Sequence, residues 1–381
     1  MMPERLTRYQ ANLVQLERKG RRRALARQCG IDFTSNDYLG LAGSPRLGLS
    51  VISAIERGVP VGAGGSRLLR GNDPEHESLE EEAAAFFHAE RMLYFGSGYT
   101  ANLAILATLP QRNDLVVYDE LAHASALAGI AAGRGRAVAV PHNDIGAFED
   151  AICKWRRGGG TGHPWIVVES LYSMDGDRAP LAALAGVSDR YDGFLFIDEA
   201  HATGVHGAGG RGFAFELEGR ENVVVLHTCG KALGVSGALV GASRVLCDYL
   251  VNHSSPFIYA TAPSPLAAAS VREALKIVSD EPERRQKLQS RIAYANEQIA
   301  VHLGIEGSGS QILPVILGDN ARSLRVAQKM QAIGFDIRAI RTPTVAPNTA
   351  RLRIAITLNV DCPTVFRMFE RLAQVMAEEQ P

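Results

Sequence analysis

An α/β fold built on a mostly parallel, helix-covered sheet is what the middle of the chain predicts, on three observations. Short runs rich in Val, Ile and Leu alternate with stretches of helical character, the pattern of βαβ units. The runs are near-continuously apolar rather than alternating, as strands buried on both faces are. Most of them stop at a polar or glycine-rich turn, where open α/β sheets carry their ligands.

In order along the chain, residues 1–45 read as an N-terminal helix and arm, 46–275 as a large domain and 276–381 as a smaller α+β domain. Within the large domain the strands fall at 92–95, 115–118, 137–140, 165–169, 194–197, 223–227 and 238–241. Beyond it, 281–303 reads as a long charged helix leading to strands near 312–317 and 351–356, and 363–378 as a closing helix.

With 381 residues, 46% of them apolar, the chain can bury a substantial core. A formal net charge of −1 argues against nucleic acid or an anionic membrane as a partner of the whole surface. The densest basic run, Arg18-Lys19-Gly20-Arg21-Arg22-Arg23, lies in a stretch that reads as an amphipathic helix, so a solvated face accounts for it. The five cysteines contain no Cys-x-x-Cys pair, which argues against a zinc module or a disulfide framework and fits a reducing, cytoplasmic setting. No apolar signal core and no stretch of membrane-spanning length is visible.

Five strand ends carry polar groups. After the run 223–227 come Thr228, Cys229, Gly230 and Lys231. A lysine past a strand is ordinarily a solvated side chain. One partly shielded from water is kept nearer the neutral amine that condenses with a carbonyl. The string Phe95-Gly96-Ser97-Gly98-Tyr99-Thr100-Ala101 joins a strand to an Ala/Leu-rich helix, so free backbone N–H groups and the helix dipole can hold a phosphate. The same letters satisfy Gly-x-Gly-x-x-Ala with Asp119 about twenty residues on, which makes a nicotinamide enzyme a competing reading.

The run 194–197 ends in Asp198-Glu199-Ala200-His201, spelled like an ATPase acidic box, but no Gly-x-x-x-x-Gly-Lys-Ser/Thr loop accompanies it. His201 and His206 lack the partners a zinc site needs. What remains is a carboxylate at a buried strand's end, costly unless a cation pairs with it. The run 165–169 leads into Ser170-Leu171-Tyr172-Ser173-Met174-Asp175-Gly176-Asp177, a hydroxyl-bearing turn. His123 follows another strand end and opens a helix, although a lone histidine there is ordinarily structural.

A phosphate-binding helix start, a histidine, a hydroxyl turn, an aspartate and a lysine at successive ends of one sheet match the needs of pyridoxal phosphate (PLP). That cofactor wants an anion site, a lysine for its aldehyde, a carboxylate for its ring nitrogen and a group stacked on its ring. A dehydrogenase accounts for one of the five, and a non-catalytic scaffold for none. A binding protein that had merely kept the fold would be expected to have lost the lysine or the aspartate.

Over nearly its whole length the sequence also resembles the α-oxoamine synthases, PLP enzymes of fold type I, the aminotransferase-like fold. The resemblance rests on Ser35-Asn36-Asp37-Tyr38-Leu39-Gly40-Leu41, Gly64-Gly65-Ser66-Arg67, the segment 71–80 with His76, Ser173 to Asp177, Asp198 to Gly204, Thr228 to Lys231, and Ala350-Arg351-Leu352-Arg353. It implies a decarboxylative condensation of an amino acid with an acyl-CoA, in a homodimer with active sites at the interface. By resemblance, Lys231 anchors the cofactor and removes the substrate's α-proton, and Asp198 pairs with the pyridine nitrogen. His123 stacks on the ring, while Ser173 and His201 bond its phenolic oxygen. Ser97, Gly98, Tyr99 and Thr228 hold the phosphate, and Thr261 reaches the phosphate of the neighbouring subunit. Asn36 and Arg353 grip the substrate carboxylate together with an N-terminal arginine, Arg23 from the Arg21 to Arg23 run. Cys229 and Ala260 depart from the family's usual aromatic and hydroxyl residues, and the second removes one phosphate contact.

Overall fold

The computed structural model describes residues 4–25 and 27–379. The chain divides into two compact units. One comprises Asn36–Ser173 and Asp177–Gln289; the other comprises the segment up to Ser35, the short piece Met174–Gly176 and the chain from Ser290 onward.

The larger unit is organised by seven strands: β1 (Arg91–Phe95), β2 (Leu115–Asp119), β3 (Arg136–Val140), β4 (Pro164–Glu169), β5 (Phe194–Asp198), β6 (Val223–Thr228) and β7 (Ala238–Ala242). Their order in the sheet is β1-β7-β6-β5-β4-β2-β3. Neighbours from β6 through β3 are parallel, while β7 runs antiparallel to both β6 and β1. Two reversals cancel, so β1 points the same way as the other five. The C-terminal ends of β1, β2, β4, β5 and β6 therefore share one edge of the sheet, the edge from which every polar turn named above departs.

Both faces are buried, which explains the near-continuous apolar spelling. Val116, Trp165, Val167, Phe196 and Val224 pack on one side with residues of the helices Gly98–Thr108 and Ala124–Ala132. Their neighbours Val117, Ile166, Val168, Ile197 and Val225 pack on the other with Phe148 and Ile152 of Ile145–Arg157 and Leu184 and Val187 of Leu181–Arg190. The side-chain period of two sends alternate residues to opposite covered faces.

The other unit holds a three-stranded antiparallel sheet in the order β9-β10-β8, where β8 is Ile312–Gly318, β9 Arg338–Ile340 and β10 Ala350–Ala355. Ile356, read from sequence as the last residue of the final strand, lies past β10 and donates its N–H to Gln311 O. The two-residue strands Ile31–Asp32 and Phe335–Asp336 pair in parallel and tie the N-terminal arm into this unit. Gly176 is obligatory here: it has φ +72, and a Cβ on it would sit 2.3 Å from Ile312 O.

The basic run leaves the helix after Arg18, contrary to the sequence reading of the whole run as helical. The helix Glu4–Arg18 ends because Gly20 adopts φ +60, with Gly20 N–H bonded to Glu17 O and Arg21 N–H to Leu16 O. Among the described residues no helix is long and apolar enough to cross a membrane.

Candidate active site

The edge shared by five strand ends assembles the site from the larger unit alone. Register across the parallel pair β4/β5 sets Glu169 directly beside Asp198, and β5/β6 sets Asp198 beside Leu226, two residues before Thr228. Asp198 is buried; its Oδ1 accepts the N–H of Ala200 at 2.9 Å and its Oδ2 the amide of Asn102 at 2.8 Å. Two donors, one on each oxygen, fix the orientation of this side chain at the sheet edge.

Lys231 Nζ lies 2.7 Å from His201 Nε2, and His201 Nδ1 lies 2.7 Å from the hydroxyl of Tyr38. That hydroxyl donates to Asn36 Oδ1 at 3.0 Å. With its only hydrogen so used, Tyr38 accepts from His201 Nδ1–H, which leaves Nε2 as an acceptor for Lys231. His201, expected beside a phenolic oxygen, thus also touches the lysine.

Ser97 caps the helix Gly98–Thr108, its Oγ accepting the N–H of Thr100 at 3.1 Å. A Cβ on Gly98 would meet Thr228 Oγ1 at 3.5 Å, so the helix start and the hydroxyl after β6 border one small space. Tyr99 and Thr261 are exposed, and the neighbouring Ala262 donates its N–H to Gly65 O at 2.8 Å. His123 caps the helix Ala124–Ala132, and burial together with the charge of Lys231 lowers its pKa against the pull of Asp198. Ser173 is buried, its N–H bonded to Glu169 Oε2 at 3.1 Å. Asn36 belongs to this unit, whereas Arg23 and Arg353 belong to the other, where Arg23 donates to Thr344 Oγ1 at 3.3 Å and Arg353 is buried on β10.

Asp119, the residue a dinucleotide fingerprint would reserve for a ribose, is already committed. Its carboxylate is buried and accepts Leu121 N–H, Asn143 N–H and His142 Nδ1–H, at 2.8, 2.8 and 2.9 Å. Nε2 of the same imidazole reaches Asp177 Oδ2 at 2.7 Å, tying the end of β2 to the loop that carries Ser173. Burial disfavours the imidazolium, but the two carboxylates outweigh it and raise the His142 pKa from 6.5 to about 10. A raised folded pKa means the contribution is full below about 6.5 and disappears as pH climbs to about 10. His142→Ala takes the imidazole donor from a buried carboxylate that keeps two backbone N–H groups, and is expected to cost about 2–3 kcal/mol at pH 6.5. The Asp177 arm, more exposed, adds little. Urea-unfolding midpoints at pH 6.5 and pH 10 check this; the gap to wild type narrows at the higher pH.

Glu169 behaves oppositely to a surface carboxylate. Burial first, then the charge of Asp198, raises its pKa from 4.5 to about 8, with Lys231 and the Ser173 N–H pulling the other way. Its Oε1 finds no donor among the described residues. The unfolded chain ionises this group freely above about 4.5 while the fold resists until about 8, so wild type loses stability across that window. Glu169→Gln, which cannot ionise, is expected to gain on wild type by on the order of 2 kcal/mol between pH 5 and pH 8.5. Thermal midpoints of the two proteins across that range provide the check.

Sequence reasoning passed over Asn102 and Ser125 and gave no role to Tyr38. A buried asparagine in the otherwise apolar Ala/Leu stretch after Gly98 is a readable signal, since a helix interior disfavours it without a partner. Tyr38 sits within a motif already singled out, Asn36-Asp37-Tyr38.

The family model for class I and II aminotransferases matches residues 29–370. The chain belongs to that family. The 8-amino-7-oxononanoate synthase of Chromobacterium violaceum is 37% identical over 330 residues, covering 86% of this chain and 84% of that protein. The crystal structure of 8-amino-7-oxononanoate synthase from Francisella tularensis superposes with TM-score 0.78 at 26% identity, over 92% of this chain and 98% of that one. Serine palmitoyltransferase of Sphingomonas wittichii superposes with TM-score 0.88 at 23% identity over 98% of each chain, a likeness of fold alone. This class I/II family member is a PLP-dependent enzyme of the α-oxoamine synthase group, and PLP is its cofactor. The residues fit the group: a doubly bonded carboxylate, a lysine amine and a glycine–threonine cradle at a helix N-terminus stand on one sheet edge.

Proposed function

We propose that the protein is an 8-amino-7-oxononanoate synthase, condensing L-alanine with pimeloyl-CoA or pimeloyl-acyl carrier protein to give 8-amino-7-oxononanoate, free CoA or carrier, and CO2, a step of biotin biosynthesis. The observation that carries the substrate assignment is 37% identity, over 86% of the chain, to a protein of that name. Bound PLP supplies an electron sink for negative charge at the amino acid's α-carbon.

The protein's own residues do the rest. Asp198, oriented by Asn102 and Ala200, would pair with the cofactor's ring nitrogen and favour its protonated form. The amine of Lys231, oriented by His201 Nε2 at 2.7 Å, would hold the cofactor and would serve as the base for the substrate's α-proton. Ser97, Gly98, Tyr99 and Thr228 would hold the phosphate at the helix start, His123 would stack on the ring, and Ser173 and His201 would bond its phenolic oxygen. For the substrate carboxylate the family resemblance offers Asn36 in the larger unit and Arg353 and Arg23 in the other, the arginines suited to charge-assisted hydrogen bonds.

A homodimer with shared sites belongs to the same reading. Support comes from Tyr259 and Leu69, large side chains more than four-fifths exposed on the segments that the Ala262–Gly65 hydrogen bond joins, beside Thr261.

Release of free CoA, measured with alanine, glycine or serine crossed against pimeloyl-, acetyl-, succinyl- and palmitoyl-CoA, tests the assignment. Turnover confined to alanine with pimeloyl-CoA supports it. Turnover with serine and palmitoyl-CoA moves the protein to another branch of the same group, for which the serine palmitoyltransferase fold is the precedent.

A further inference from the structure

Asn102 makes contacts that no simple packing role requires. It lies in the second turn of the helix Gly98–Thr108 and is 2% exposed. Its Nδ2 lies 2.8 Å from Asp198 Oδ2 and 2.9 Å from Ser125 Oγ. A flipped amide would bring an oxygen against a carboxylate, so the nitrogen faces Asp198 and spends one hydrogen on each partner. Ser125 Oγ, accepting from Asn102, has its own hydrogen for His123 Nδ1 at 2.7 Å. The ring nitrogen also receives Ser125 N–H at 3.2 Å, which places the proton of a neutral His123 on Nε2. The two helices come close enough for this only because residue 129 is glycine: a Cβ there would sit 2.7 Å from Asn102 O and 2.9 Å from Leu106 Cβ.

We propose that Asn102 is a positioning residue that locks the Asp198 carboxylate and the His123 ring into one constellation, so that a single buried amide sets both the partner of the cofactor's ring nitrogen and the group that stacks on the ring. The inference rests on the cofactor roles proposed for those two residues. One amide hydrogen fixes the carboxylate's rotation. The other, relayed by the Ser125 hydroxyl, fixes the imidazole's tautomer and tilt. Loss of the amide is felt at both ends, whereas loss of the serine hydroxyl is felt only at the histidine.

The test compares wild type, Asn102→Leu, Ser125→Ala and the double variant. PLP affinity is measured by titrating the apoprotein, the pH midpoint of the holoenzyme's visible absorption band by titration, and the thermal midpoint on the apoprotein. Asn102→Leu, near-isosteric but without donors, is expected to weaken PLP binding by roughly tenfold or more, as loss of a charge-assisted hydrogen bond does. It is also expected to move the band's midpoint by at least about half a pH unit. Ser125→Ala is expected to move the midpoint while weakening PLP less, and to add nothing in the Asn102→Leu background. PLP affinity and band midpoint both unchanged in Asn102→Leu would overturn the proposal. If that variant fails to fold, Ser125→Ala decides it, and an unmoved midpoint there is equally fatal. A wild-type protein that takes up no PLP sinks the underlying cofactor reading instead, so the two failures are distinguishable.

Discussion

The Lys231→Ala variant is expected to lose condensation activity by roughly 10⁴-fold or more, since one substitution removes the group proposed both as the cofactor's covalent anchor and as the base for the α-proton. The geometry supports both roles. Its Nζ sits 2.7 Å from a ring nitrogen that the Asn36, Tyr38 and His201 chain leaves as an acceptor. PLP itself is expected to remain bound, more weakly, because the groups assigned to its phosphate and ring nitrogen are untouched. The measurement separating the roles is exchange of the alanine α-hydrogen in D2O without acyl donor. Wild type exchanges it and Lys231→Ala does not, even with saturating PLP. Persistent exchange in the variant would transfer the base's role to another group, with His201 the nearest candidate.

The Asp198→Asn variant is expected to show the second-largest effect, a fall in turnover of roughly 10²- to 10³-fold with weaker PLP binding. A neutral amide cannot hold a cation on the ring nitrogen, so the electron sink is lost while the shape of the site is kept. The fold pays a smaller penalty. The carboxylate satisfies Asn102 and Ala200 with separate oxygens, whereas an asparagine has one oxygen for the two donors. One donor is left facing an amide nitrogen, at about 1–2 kcal/mol. Removing the charge also relieves Glu169, whose raised pKa owes its second-largest cause to Asp198, and that group is expected to titrate lower in the variant. Turnover, PLP titration and thermal midpoints together separate loss of chemistry from loss of fold.

Much of the large sheet was legible because buried parallel strands need apolar residues at every position. The runs at 115–118, 194–197 and 223–227 each fall within β2, β5 and β6. Their polar terminators were legible for the same reason: Asp198 and Thr228 stand out against the apolar residues before them. Strand direction was not, since Ala238–Ala242 carries no mark of running antiparallel to both neighbours. Strands of two or three residues, such as Phe335–Asp336 and Arg338–Ile340, are too short for any period to register. The basic run was read as helical because its charges suit a solvated helix face, and the left-handed turn at Gly20 overrode that pattern. Side-chain networks were the least readable. His142 meets Asp119 and Asp177 across 23 and 35 residues, and Asn102 meets Asp198 across 96, distances over which local pattern says nothing.

Borohydride reduction of the purified holoenzyme, followed by proteolysis and mass mapping of the modified peptide, is the most direct test of the central claim. The account predicts a reduced pyridoxyl adduct on Lys231 in the Thr228-Cys229-Gly230-Lys231 peptide, and none in Lys231→Ala. An adduct on any other lysine, or a wild-type protein that carries none after saturation with PLP, would contradict it.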